Sequence, residues 1–246
     1  MRTHIVLWRW SQPNMTGDRA YNYKHVNAMN DMILRNIAGV RTPVRVICVT
    51  DEVGGIECDT FPLWRDGSHL VNATKPTLPS CYRRLRLYDG ETQRSMDIDP
   101  GDRIVSLDLD TVICGSIRQI LQTEGRFVGW MLAGTYHPLV YNGSFQMFTA
   151  GDLQEIWSEF DPETSPMAAQ HAGYLGSDQS WLSWKLIGKE GSVGIDFPVF
   201  ASYPLHCRAM HSFSAQHRLV FFHGKKKPWS PAANAESKWI QRYWRE

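Results

Sequence analysis

Arg103-Ile104-Val105-Ser106-Leu107-Asp108-Leu109-Asp110-Thr111 is the stretch on which the reading of the whole chain turns. A short apolar, β-branched run follows the turn residues Pro100-Gly101-Asp102, the pattern of a buried strand with a defined entry. Two carboxylates, one residue apart, then stand at its C-terminal end. In open α/β sheets ligands lie outside the carboxyl ends of the strands, so Asp108 and Asp110 point to the expected crevice. Left bare, the pair would repel and be costly to desolvate; a hard divalent cation, Mg²⁺ or Mn²⁺, removes both difficulties and also takes substrate phosphate oxygens. Asp97-Ile98-Asp99 has the same spacing but precedes a turn, and no metal role is expected of it.

Working outward, short apolar runs alternate with helical patterns, which predicts an α/β fold with a mostly parallel sheet flanked by helices. His4 to Trp10 reads as the first strand. Tyr21, Val26, Met29, Ile33 and Ile37 recur at near-helical spacing, and Gly39 is placed to end that helix. Val44 to Thr50 reads as the second strand, so one β-α-β unit opens the chain, the usual start of a nucleotide-binding domain. Asp59 to Pro79 reads as a long loop with one short edge strand, and Cys81 to Tyr88 as helical. Phe127 to Leu132, Gln146 to Thr149 and Val220 to His223 are expected strands. Helices are expected over Gly151 to Phe160, Asp178 to Lys189 and Ala233 to Trp244.

The bulk numbers agree with one globular unit: 246 residues, 43% hydrophobic and 21% charged, with a formal net charge of +1. Such a balance predicts no polyanion partner, although Arg208, Arg218, Lys225 to Lys227, Lys238, Arg242 and Arg245 make the C-terminal stretch basic. Five cysteines form an odd set without Cys-x-x-Cys spacing, which suggests neither a disulfide framework nor a thiolate zinc site and fits a reducing cytoplasm. No run reaches the roughly 20 apolar residues that cross a bilayer, so a soluble chain is expected.

The second chemical stretch is Phe221-Phe222-His223-Gly224-Lys225-Lys226-Lys227-Pro228-Trp229. A histidine leaving an apolar strand can ligate a metal through a neutral ring nitrogen. Gly224 lets backbone approach a phosphate, and a lysine ammonium neutralises diphosphate charge.

Together these residues resemble glycosyltransferase family 8, which includes glycogenin and lipopolysaccharide galactosyltransferases. Ile104 to Thr111 is similar to that family's strand and metal motif, and His223 to Trp229 to its closing His, Gly, Lys-Pro-Trp signature. Tyr141-Asn142-Gly143-Ser144-Phe145 resembles its Asn-containing segment, and Gly176-Ser177-Asp178-Gln179-Ser180 its Asp-Gln segment at a helix start. All four occur in the family's order. The resemblance implies a single GT-A nucleotide-diphospho-sugar transferase domain over residues 1–230, with 231–246 as a basic, Trp-containing C-terminal helix. It implies metal ligation by Asp108, Asp110 and His223, with Mn²⁺ or Mg²⁺ as cofactor, and diphosphate contact by Lys227 and Gly224. Trp8 and Arg9 would meet the nucleotide base and ribose. Arg83 or Arg84 would bind phosphate or sugar, Asn142 and Asp178 the donor sugar, and Gln179 would lie near the anomeric carbon. Which of Lys225, Lys226 and Lys227 reaches the diphosphate stays open, since the gap after His223 is shorter than in glycogenin.

The activity implied is a retaining hexosyl transfer from a UDP-sugar to a hydroxyl acceptor. Front-face attack with the diphosphate oxygen taking the proton is the expected route, and a covalent one through Asp178 the alternative. A glycan is the expected acceptor. A hydroxymethylated DNA base is the alternative, because the C-terminus interleaves basic and aromatic residues. A nucleotidyltransferase is the enzymatic rival, against which Trp10 to Gly17 has a single glycine; a non-catalytic nucleotide-sugar-binding protein is the other.

Overall fold

The computed structural model describes residues 1–11, 16–17, 20–65, 81–132, 140–208 and 214–245. The loop expected through Pro79 therefore lies outside the described residues from position 66 onward, as do positions 12–15 of the single-glycine stretch Trp10 to Gly17. Seven strands, β1 (Thr3–Arg9), β2 (Val44–Thr50), β3 (Asp59–Pro62), β4 (Arg103–Leu107), β6 (Phe127–Met131), β7 (Tyr141–Thr149) and β8 (Ser192–Ile195), form one sheet. Mostly parallel and flanked by helices, it runs in the order β3-β2-β1-β4-β7-β6-β8, confirming the α/β expectation. β1 is buried along its whole length and β4 along all but its first residue, the burial that a continuous apolar run predicts for central parallel strands. The strand expected within the loop after Asp59 is β3, which pairs in parallel with β2 at the sheet edge.

The chain divides into two compact units. One comprises Met1–His4, Trp64–Val105 and Glu124–Gly194; the other Ile5–Leu63, Ser106–Thr123 and Ile195–Glu246.

In the first unit β6 and β7 pair antiparallel, with a bulge at Gly129/Trp130. That bulge brings Asn142 opposite Trp130 and carries β7 back to Tyr141, five residues before the start expected at Gln146; Asn142 and Gly143 are poor strand formers, which conceals it. Helices α2 (Gly90–Ser95), α4 (Glu155–Ser158), α5 (Ser165–His171) and α6 (Asp178–Leu186) accompany these strands. The helix expected over Gly151 to Phe160 shrinks to α4, because Gly151 and Leu153 take left-handed φ values of 87° and 60° that end any α-helical run. The arginine-rich segment before α2 is a 3₁₀ helix, Tyr82–Tyr88. Its Tyr88 stacks on Phe148 at 4.1 Å in the core.

In the second unit α1 (Tyr23–Asn36) begins with a capping box in which Asn22 accepts from Lys24 and His25 accepts from the Asn22 N–H. Gly39, with φ 78°, follows its end. α3 (Arg118–Leu121) packs nearby, the Ile117 N–H donating to Asn36 O. A separate three-stranded sheet joins β5 (Thr111–Ile113), β9 (Phe200–Ser202) and β10 (Leu219–Phe221), with β10 in the middle. The single helix expected from Ala233 to Trp244 is two, α7 (Pro231–Glu236) and α8 (Ile240–Tyr243). Between them Ser237 leaves helical geometry to meet the buried Tyr203 hydroxyl at 3.1 Å, so a tertiary hydrogen bond overrides local propensity. No helix among the described residues is long and apolar enough to cross a membrane. The five cysteines, all within the described residues, are thiols and form no disulfide with one another.

Candidate active site

Beyond β4 the chain makes a turn at Leu109 and Asp110 and re-enters a strand as β5. The antiparallel register of β5 with β10 sets Phe221 opposite Thr111. One step beyond that rung, the Phe222 N–H donates to the Asp110 carbonyl at 2.9 Å. Two stretches far apart in sequence are thus tied backbone to backbone, and the residues after Phe222 are delivered to the Asp110 side chain.

Of the three lysines that follow, Lys227 alone turns inward. Lys225 is exposed, Lys226 pairs with Glu236, and the Lys227 ammonium donates to Asp110 Oδ2. The side chains of Lys227 and Asp110 are 5% and 7% exposed, which makes this a desolvated ion pair, not a surface one. The Tyr21 hydroxyl donates to the same oxygen at 3.1 Å, and the ammonium lies 5.4 Å from the centre of the Tyr21 ring. His223 is half-buried, one ring nitrogen 2.7 Å from Ser202 Oγ. Burial lowers its pKa; Lys227 and His206 act the same way, and the Asp110 charge opposes them without prevailing. The ring is therefore neutral at pH 7, the form that offers a lone pair. Gly224 takes φ 115° with open space where a side chain would stand, so conformation rather than crowding selects glycine.

Two carboxylates and a neutral imidazole suit a Mn²⁺ or Mg²⁺ ion in chemistry. Their arrangement as it stands is not a finished cage: among the described residues no three His, Cys, Asp or Glu side chains converge to hold an ion. Asp110 is instead neutralised from within the chain by Lys227. Asp97 and Asp99, expected to play no such part, are exposed and pair with Arg2 at 3.6 and 3.1 Å.

Trp8 and Arg9 end β1 in this same unit. Trp8 is buried, its indole N–H donating to Ser106 Oγ at 2.7 Å. Arg9 is buried too; its guanidinium pairs with the Glu52 carboxylate and donates to the Glu52 carbonyl at 3.1 Å.

The first unit holds Arg83, Arg84, Asn142, Asp178 and Gln179. It separates the two arginines. Arg84 is 5% exposed and grips Asp178 Oδ2 through Nε at 2.9 Å and Nη2 at 2.7 Å, whereas Arg83 offers its carbonyl to the Trp64 indole at 2.7 Å. Asp178, at the first position of α6, also accepts from the Ser177 hydroxyl at 3.1 Å and lies 3.4 Å from Gln146 Nε2. Gly143 leaves room for this group, since a Cβ there would stand 2.6 Å from Arg84 Nη2. Asn142 is half-buried, its side-chain oxygen accepting the Ser144 N–H at 3.0 Å. Gln179 folds over Gly176, where a Cβ would come within 2.8 Å of its side chain; with φ 123° that glycine is required twice over. As site residues Tyr21, Ser202 and Gln146 were passed over, Tyr21 because it was read into a helix that begins only at Tyr23, after the Asn22 cap. The readable signal was a polar side chain inside an apolar run, as at Gln146 between Phe145 and Met147, because a buried polar group needs a partner.

No protein-family model matches this sequence, and no curated protein matches it. Solved structures do. An active-site variant of LgtC superposes with a TM-score of 0.60 at 12% identity, over 97% of this chain and 94% of that one. The galactosyltransferase LgtC in complex with donor and acceptor sugar analogs gives 0.56 at 12% identity, over 99% and 97%. The glycosyltransferase GlyE of Streptococcus pneumoniae TIGR4 gives 0.54 at 12%, over 94% of this chain and 57% of that chain. The architecture that carries Asp108, Asp110, His223 and Lys227 is therefore a GT-A-like glycosyltransferase fold.

Proposed function

We propose that this protein is a retaining glycosyltransferase that moves a hexose-type sugar from a UDP-sugar onto a hydroxyl of a glycan, with Mn²⁺ or Mg²⁺ as cofactor. The observation that carries the reading is the convergence of Asp110, Lys227 and His223 at the exit of β4 in a glycosyltransferase fold. Asp108, Asp110 and His223 would hold the cation, which when bound neutralises charge on the departing diphosphate. Lys227 supplies a second positive charge for that diphosphate, and Gly224 keeps the backbone beside it free of side chain. Charge fixed in place before the bond breaks usually contributes more to catalysis in such sites than any other effect.

Arg84, Asn142 and Asp178 position the donor sugar, and Gln179 lies near its anomeric carbon. The bond from the anomeric carbon to the diphosphate oxygen breaks, the bond to the acceptor oxygen forms on the same face, and the acceptor's proton passes to the departing diphosphate. No protein base is needed. The environment of Asp178 supports this route over a covalent one. Its Oδ2 is held twice by Arg84 and its Oδ1 by Ser177, so it is fixed as an orienting group and blunted as a nucleophile.

The state of the basic tail bears on the acceptor. Lys226 and Arg208 are both paired with Glu236 and Lys227 with Asp110, which breaks up the positive stripe that a DNA strand would track and favours a glycan.

The test is release of UDP from a panel of UDP-hexoses with Mn²⁺, followed by mass spectrometry of oligosaccharide acceptors. Donor binding without turnover on any acceptor would point to a binding protein. Pyrophosphate formed from a nucleoside triphosphate and a sugar phosphate would point to a nucleotidyltransferase.

A further inference from the structure

Asp110 Oδ2 receives both the Lys227 ammonium and the Tyr21 hydroxyl. Two donors commit both lone pairs of that oxygen. A cation arriving there meets an ammonium of like sign in a nearly dry setting, where charges are poorly screened. The two cannot share the oxygen.

The backbone at Lys227 is itself held. Ser230 Oγ donates to the Lys227 carbonyl at 2.8 Å and accepts its N–H at 3.3 Å, and the Trp229 ring stacks on His25 at 3.7 Å. What remains able to move is the four-carbon stem that carries the ammonium.

We propose that Lys227 is a latch on the cation site: it occupies Asp110 until the diphosphate of a donor draws the ammonium away, and only then does the divalent ion take its place on that carboxylate. This rests on the metal-dependent reading above. Donor and cation then bind with positive coupling, and by linkage each raises the other's affinity by the same factor. The same residue blocks the site when it is empty and serves the diphosphate when it is filled, so idle protein holds little metal.

The latch makes a prediction of unusual sign. Removing the side chain should tighten binding of the bare ion, whereas losing a residue that only supports the structure would not. Mn²⁺ affinity is measured on the full chain by electron paramagnetic resonance of free Mn²⁺, without nucleotide, in wild type, Lys227→Met and Lys227→Gln. Thermal melting verifies folding, and Lys227→Gln, uncharged but polar and one bond shorter, serves should the methionine variant not fold. The expected result is Mn²⁺ binding at least about tenfold tighter in either variant than in wild type, a difference of about 1.4 kcal/mol, and its loss when Asp110→Asn is added. Equal or weaker binding in both folded variants overturns the latch. Adding UDP then separates the two ideas: Mn²⁺ bound in an Asp110-dependent way leaves the metal reading standing, and no such binding removes both.

Discussion

Arg84 and Asp178 form a buried ion pair, two guanidinium nitrogens meeting one carboxylate oxygen at 2.9 and 2.7 Å, with side chains 5% and 2% exposed. Removing either partner strands a charge in the interior, which costs about 3–5 kcal/mol. Arg84→Ala and Asp178→Asn are therefore expected to lower stability by that amount in urea denaturation. Arg84→Met combined with Asp178→Leu should recover most of it yet show no transfer. Single variants within about 1 kcal/mol of wild type would contradict the pairing as drawn.

Gly143 tests the same group from its other side. A Cβ at this position would stand 2.6 Å from Arg84 Nη2 and 3.3 Å from both Asp178 carboxylate oxygens. Gly143→Ala should shift the pair, and misplacement of about 1 Å at a reacting centre costs on the order of 10²-fold in rate. UDP release from the preferred donor should fall by that factor while melting changes by a few degrees; unchanged turnover would show the pair has no part in positioning.

Asp108→Asn and Asp110→Asn should each reduce transfer by about 10³-fold, since several kcal/mol of leaving-group stabilisation is lost at about 1.4 kcal/mol per factor of ten. Asp97→Asn and Asp99→Asn are the controls. Those carboxylates are exposed partners of Arg2, pairs worth about 0–1 kcal/mol, and steady-state kinetics should not change.

His25 predicts a pH dependence. Burial, with Lys24 nearby, lowers its pKa to about 4 from 6.5. In this window the unfolded chain binds the proton and the folded one does not, so stability rises with pH. The contribution is complete above pH 6.5 and is lost on descent towards pH 4, by up to about 1.4 kcal/mol for each unit. His25→Gln, whose carboxamide oxygen can take over the cap of α1, should flatten this slope in chemical denaturation between pH 4 and 6.5; an unaltered slope would place its origin elsewhere.

The thiols should be sluggish. Burial pushes Cys48 and Cys207 up to about 12 and Cys58 to about 11, which leaves little thiolate at about pH 8. A disulfide reagent should titrate these three only on unfolding.

How much of this was legible beforehand depends on the range of the forces involved. The apolar run Ile104 to Leu107 behind Pro100-Gly101-Asp102 announced β4 because a central strand states its burial in its own residues. The choice among Lys225, Lys226 and Lys227 could not be read, because it is made by the register of β10 on β5 and by a carboxylate elsewhere in the chain. Arg83 and Arg84 were likewise equivalent in sequence, and Asp178 separates them. The resemblance set Trp8 against the nucleotide base but gave no sign of the hydrogen bond that its indole N–H makes to Ser106. Local pattern reports an element well and reports poorly which of several like side chains that element turns inward.

Lys227 stands 117 positions beyond Asp110, Arg84 and Asp178 are 94 apart, and His4 and Asp102 are 98 apart. Closing loops of that length costs chain entropy before the contact offsets it. On a ribosome, a chain that has emerged only as far as β5 carries Asp108 and Asp110 without Lys227. The pairing of Asp110 with Lys227 is therefore completed only once β10 has docked on β5.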